Sequence, residues 1–183
     1  MSTSKHIAKH LRDVYFSGNW TASNLKSQLA DVTWQEATTQ VYNCNTIATL
    51  AYHIHYFVDT VTKVLEGGPL EGKDKYSFDH PPITSKEDWD TFLEKTYDAA
   101  DHFASLIEKL PEDAIWGEFI DPKYGNYYRN LQGIVEHTHY HLGQIAILKK
   151  IQHRNIVQLV EVLDDPDSEK LYLILEYVKC GSL

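Results

Sequence analysis

Apolar residues recur at three- and four-residue steps along most of the chain. Between about Asn43 and Glu66, the positions Ile47, Leu50, Ala51, Ile54, Phe57, Val58, Val61 and Leu65 fall on one line, the spacing that places side chains on a single face of an α-helix. Glu66-Gly67-Gly68-Pro69 should end that helix, because glycine takes the left-handed conformation after a last turn and proline cannot continue it. Trp89, Phe92, Leu93, Thr96, Ala99, Ala100, Phe103, Leu106, Ile107 and Leu110 make a second stripe, closed by Pro111. Ahead of it, Thr84-Ser85-Lys86-Glu87 reads as a capping box in which Thr84 and Glu87 satisfy the first free amides. The turn-rich stretch Asp121-Pro122-Lys123-Tyr124-Gly125-Asn126 leads into a helix from about Tyr128 to Lys150. Residues 4–16 also look helical, whereas 18–42 are mixed and should hold short helices. The chain shows no internal repeat and no low-complexity segment. Through residue 150 the pattern is all-α, most simply a four-helix bundle.

Composition narrows the function classes. The 183 residues include 17 Lys and Arg against 26 Asp and Glu, for a formal net charge of −9. No run of basic residues supplies the concentrated positive face that a nucleic-acid binder needs. The start, MSTSKHIAKHL, lacks an uninterrupted apolar core, and no later stretch approaches the roughly 18 apolar residues of a membrane span. A soluble, cytoplasmic protein is expected, with neither nucleic acid nor membrane as a partner. Cys44 and Cys180 stand far apart without paired spacing, so both read as ordinary thiols and not as a disulfide framework or a thiolate metal site.

The chemistry concentrates in histidine. EHTHYHLGQIAILKK, residues 136–150, has histidines at 137, 139 and 141. On a helix, residues four apart lie about 40° apart around the axis and one turn apart along it, so His137 and His141 project side by side as a two-nitrogen chelate. His139 points the other way. Ile134, His137, His141, Ile145 and Leu148 follow core spacing, and two imidazoles in an apolar core leave nitrogens unsatisfied at about 1–3 kcal/mol each. A metal ion removes that cost. A third ligand should come from Ala51-Tyr52-His53-Ile54-His55. His53 continues the apolar line Leu50, Phe57, Val61, Val64, and His55 the line Ala48, Asp59, Thr62, which turns polar. His53 is therefore expected in the site, and His55 as a surface residue or a supporting one. Three imidazoles suit zinc, nickel or iron(II) and leave a position open for water or substrate. HxxxH alone is a weak motif, and the glutamate of a metalloprotease HExxH is absent because Thr138 follows His137. His6, His10, His80, His102 and His153 have no such geometry and read as solvated. Tyr56, Tyr128 and Arg129 are candidates to line the cleft.

The helical histidine in LAYHI, the capped third helix and EHTHYHLGQ, in that order, resemble the DinB/YfiT-like superfamily of metal-dependent four-helix bundles. VLEGGPLEGKDKYSFDHPPI and KYGNYYRNLQGIVEHTHYHLGQIA are similar to a bacterial subgroup within it. The resemblance covers about residues 6–150. It implies that His53, His137 and His141 form a metal triad, that the open metal position activates a low-molecular-weight thiol toward a small-molecule substrate, and that the protein is a homodimer. A thiol-dependent transferase or isomerase, or a hydrolase, is the enzyme reading. The competing class is a non-catalytic, metal-stabilised dimeric scaffold.

After Lys150 the pattern changes. IQHRNIVQLVEVLDDPDSEKLYLILEYVKCGSL holds two β-branched-rich runs around Asp164-Asp165-Pro166-Asp167, the signature of a β-hairpin. This stretch, from about residue 145, resembles a protein kinase N-lobe from the end of its C helix through its fourth and fifth strands, in the manner of calcium/calmodulin-kinase-kinase-like sequences. Gln144 stands where such a kinase carries the glutamate of that helix. With no Gly-rich loop, VAIK lysine, HRD or DFG in the sequence, phosphoryl transfer has no machinery. The expected organisation is thus a bundle domain over residues 1–150 and a kinase-like fragment over 151–183 that is not an independent domain: an all-α bundle with an appended β-hairpin-like tail.

Overall fold

The computed structural model describes residues 2–151 and, beyond them, two strands at 159–164 and 171–175. His153, Cys180, the expected turn at Asp165-Pro166-Asp167 and the outer ends of the two apolar runs lie outside the described residues. Seven α-helices are found among the described residues: α1 Thr3–Tyr15, α2 Leu25–Leu29, α3 Trp34–Thr38, α4 Ile47–Leu65, α5 Lys86–Lys109, α6 Glu112–Trp116 and α7 Tyr127–Ile151. The strands β1 Leu159–Asp164 and β2 Leu171–Leu175 pair antiparallel, with Asp164 opposite Leu171 and an irregularity between Leu159 and Glu161. Among the described residues the fold is all-α with this antiparallel strand pair appended, and no helix among them is long and apolar enough to cross a membrane.

The four long helices form the bundle. α1 packs on α5 and α7, and α4 packs on the same two, so the order around the bundle is α1, α5, α4, α7. The connections α1 to α4 and α5 to α7 therefore cross the diagonal. Such crossings need length, and the chain supplies it in the stretches that hold α2, α3 and α6. Buried side chains from all four helices meet in one core, with Leu11, Ile54, Phe103 and Ile145 among the most enclosed. Trp89 at the start of α5 is 2% exposed, and its indole N–H donates to the Val32 carbonyl at 2.9 Å. That bond ties the first crossing to the bundle.

Local chemistry sets the helix ends. Thr46 caps α4 by accepting the Thr49 amide at 3.1 Å. At its other end Gly67 takes φ +88°, and the Gly67 and Gly68 amides donate to the carbonyls of Val64 (3.0 Å) and Lys63 (2.8 Å). This is the glycine-terminated C-cap that the sequence predicts. The cap of α5 differs by one residue from the expected Thr84/Glu87 box. Ser85 accepts the Asp88 amide at 3.1 Å, and the Asp88 carboxylate reaches back to the Thr84 amide and hydroxyl, both at 2.9 Å. Both candidate registers offer a hydroxyl and an acid; the extended backbone at Ser85, with the helix starting at Lys86, selects the second. α6, absent from the sequence reading, is a single turn following Pro111.

The entry to α7 fixes the register of the histidine helix. Asn126 accepts the Arg129 amide at 2.9 Å as its cap. The preceding turn is closed by Phe119 N–H to Gly125 O (2.8 Å) and Tyr127 N–H to Gly117 O (3.1 Å), with Gly125 at φ +78°, a conformation that favours glycine.

Candidate metal centre

The contact between α4 and α7 brings the three predicted histidines together. α4 contributes His53, 5% exposed, and α7 contributes half-buried His137 and, one turn on, His141, 8% exposed. His137 Nε2 lies 3.0 Å from His53 Nε2 and 3.1 Å from His141 Nε2, and one nitrogen from each of the three rings falls within a 4.8 Å set.

The far side of each ring decides what those nitrogens carry. His141 Nδ1 is 2.7 Å from Gln144 Oε1, an oxygen that can only accept, so the His141 proton is on Nδ1. His53 Nδ1 is 2.7 Å from Ser77 Oγ, and that hydroxyl donates its single hydrogen to the Asp74 carbonyl at 2.7 Å. Ser77 must then accept, and the His53 proton is also on Nδ1. Both rings therefore aim a bare Nε2 lone pair at His137 Nε2. A proton on His137 Nε2 could serve only one of them. His137 Nδ1 is buried and has no hydrogen-bond partner.

A proton is a poor occupant of the gap between the rings. Burial, reinforced by His141 and then His53, pushes His137 down to about 4. Burial is also the main cause that lowers His53, with His141 adding to it, and it lowers His141 against the opposing hydrogen bond from Gln144. All three imidazoles are neutral near pH 7. Three neutral nitrogens converging with at most one proton to share form an electron-rich pocket. Tetrahedral zinc, with bonds of about 2.0–2.1 Å, separates its ligand nitrogens by about 3.3 Å. The two spacings from His137, 3.0 and 3.1 Å, differ from that by a few tenths of an ångström, and the whole set lies within 4.8 Å, so the donor chemistry suits a divalent ion that His53 and His141 would draw together to hold. In such a site the proton of His137 moves to Nδ1, where it meets no acceptor; His137 is the one ligand without a supporting partner.

Aromatic side chains surround the triad. Phe78 stacks on His53 with centroids 4.0 Å apart, Phe57 sets its edge against His53 (5.1 Å) and His137 (5.0 Å), and Tyr140 lies 4.8 Å from His141. The carboxylate of Asp74, three residues before Ser77, acts electrostatically on both His53 and His137. Ser77, Phe78 and Asp74 come from the α4–α5 connection, and Tyr56 pins it by donating to the Lys73 carbonyl (3.1 Å) and accepting the Lys73 amide (2.8 Å).

Other candidates go elsewhere. His139 does point away, toward α1, with its ring 5.6 Å from His10. His55 is neither a surface residue nor a partner of the triad: it is half-buried against Tyr52 and Phe92, its Nδ1 has no partner, and burial lowers its pKa. The line that turns polar along α4 is still covered, because α5 packs beside it. His80 is half-buried as well and donates from Nδ1 to the Pro81 carbonyl at 2.8 Å, whereas His6, His10 and His102 are exposed as expected. Tyr56 is committed to Lys73, Tyr128 stacks on Trp116 (4.8 Å), and Arg129 donates to the Tyr124 carbonyl (3.3 Å); none of the three has its polar group bonded to the histidine cluster. Sequence reasoning missed Ser77, Phe78, Asp74 and the role of Gln144. Gln144 was findable, three residues after His141 and seven after His137 on one helical face.

Comparison with known proteins finds short matches to protein kinases. A calcium/calmodulin-dependent protein kinase kinase of Caenorhabditis elegans is 58% identical over 40 residues, 22% of this chain and 7% of that protein. The serine/threonine-protein kinase ssp1 of Schizosaccharomyces pombe is 58% identical over 40 residues, covering 6% of its length. SNF1-activating kinase 1 of Saccharomyces cerevisiae is 55% identical over 40 residues, covering 4%. The chain thus spans less than a tenth of these relatives, and the similarity is that of a kinase fragment. No family model matches the chain, and no solved structure matches it.

Proposed function

We propose that the bundle, residues 1–150, is a DinB-like metal-binding domain that holds zinc, nickel or iron(II) through His53, His137 and His141, and that residues 151–183 are an appended kinase-like fragment without kinase activity. The observation that supports this reading is the convergence of three Nε2 atoms, two of them held deprotonated by Ser77 and Gln144. Three protein ligands leave a position open, and there a divalent ion supplies a lowered pKa to a thiol or water, the chemistry of a thiol-dependent transferase or isomerase, or of a hydrolase. The chain's own residues do the rest. Ser77 and Gln144 orient two rings, Phe57 and Phe78 keep water from their faces, and Asp74 offsets the positive charge. The same reading expects a homodimer.

The test is metal content and spectrum. His53→Ala, His137→Ala and His141→Ala should each lose most of the bound divalent metal in elemental analysis, while His55→Ala and His139→Ala keep it. Wild-type protein that stays metal-free after incubation with zinc, nickel and iron(II) defeats the proposal. In the cobalt-substituted protein, glutathione or another small thiol should add a sulfur-to-metal charge-transfer band. A metal-loaded protein whose spectrum does not respond to thiols is instead the non-catalytic scaffold.

A further inference from the structure

α7 turns its third histidine to the opposite side. His139 is two residues from both His137 and His141, about 200° around the helix axis, so it leaves the face that meets α4 for the face that meets α1. There its ring lies 5.6 Å, centroid to centroid, from that of His10, with the two planes tilted by 55°. His139 is half-buried and His10 exposed. Both stand near the middle of their helices, which pack against each other.

The His139 ring is already held as a ligand would be. The Val135 carbonyl, one helical turn earlier, accepts a hydrogen bond from it. One ring nitrogen therefore carries the proton, and the other keeps a free lone pair in the neutral imidazole. A backbone carbonyl on the far nitrogen is a common support of a metal-bound histidine. His10 makes no hydrogen bond or ion pair among the described residues, so its nitrogens are uncommitted. The spacing selects the metal. An ion about 2.0–2.1 Å from one nitrogen of each ring lies about 3.2 Å from each centroid, and a tetrahedral angle then separates the centroids by about 5.2 Å, a right angle by about 4.5 Å. The observed 5.6 Å lies close to the tetrahedral value. That is the geometry of zinc, not of square-planar copper(II).

We propose that His10 and His139 form a second zinc site, a two-imidazole clip that joins α1 to α7. No third histidine, cysteine or carboxylate joins the pair in a ligand group among the described residues, so water fills the remaining positions. His6, one turn before His10 on α1, has the four-residue spacing of a helical chelate and is the competing partner; the ring contact across the helices favours His139. The site is independent of the triad and lies on the other side of α7 from it. Two ligands hold zinc less tightly than three, so this ion is read by titration and not by metal retained through purification. Halving the affinity of four-ligand structural zinc sites gives a Kd of about 1–200 μM.

The probe is zinc chloride, titrated into the full-length protein and followed by proton–nitrogen NMR of the imidazole rings. The His10 and His139 rings should shift together and saturably, with a Kd in that range. His10→Ala and His139→Ala should each weaken this binding at least about tenfold, the loss of one ligand of two. His6→Ala should leave it unchanged. His53→Ala should show the same shifts of His10 and His139, so a failure of the triad and a failure of the clip are told apart ring by ring. The proposal is overturned if zinc up to about 1 mM leaves the His10 and His139 rings unmoved, if either His10→Ala or His139→Ala binds as tightly as wild type there, or if His6→Ala costs as much as His139→Ala.

Discussion

Acidifying the metal-free protein should destabilise it, and His137 should account for a defined share of the loss. The folded value of His137 is about 4 against an ordinary 6.5. Because the folded state resists the proton, the unfolded chain binds it first as pH falls. The stability concerned is full above pH 6.5, is lost as pH drops toward and through about 4, and then levels off. A depression of about 2.5 units corresponds to about 3 kcal/mol in all, of which about 2 kcal/mol is gone by about pH 5. Against a typical domain stability of about 5–15 kcal/mol that is a large fraction. The assay is urea unfolding, in the presence of a chelator, at about pH 7.5 and about pH 5 for wild type and His137→Gln. His53, His55, His139 and His141 are lowered as well, all with burial as the leading cause, so wild type should lose more than 2 kcal/mol in total. The variant should lose about 2 kcal/mol less than wild type over the same interval. If the two proteins lose the same amount to within about 0.5 kcal/mol, the burial and mutual repulsion assigned to His137 are wrong.

Two further outcomes follow from the same geometry. Ser77→Ala and Gln144→Ala should each weaken metal binding about 10–100-fold, read by competition with a chromophoric chelator; Gln144→Glu, which keeps an acceptor on His141, should restore it, and wild-type affinity in both alanine variants would remove their orienting role. A chain ending at Lys150 should remain helical, keep its metal and melt no lower than the full chain, since an antiparallel strand pair is marginal alone; a truncated protein that unfolds or loses its metal would make the tail part of the fold and move the proposed boundary.

The four long helices are readable from the sequence because their order is local. A three- and four-residue apolar repeat and a glycine at position 67 act within a few turns, so the ends of α4 and the run of α7 follow from neighbouring residues. The pairing of His137 with His141 is local in the same sense, and the choice of His53 over His55 needs only the apolar line on α4. Distance along the chain is where that legibility stops. Ser77 meets His53 across 24 residues, through a connection whose path depends on Tyr56 gripping the Lys73 backbone, and no periodicity encodes such a contact. His55 shows the same limit from the other side: its own helix marks it as peripheral, but the packing of α5 encloses it. Which helix covers which face is decided by the diagonal crossings of the bundle. The protonation of every imidazole at the centre is set by that packing too, because burial and hydrogen-bond partners exist only once the helices have met.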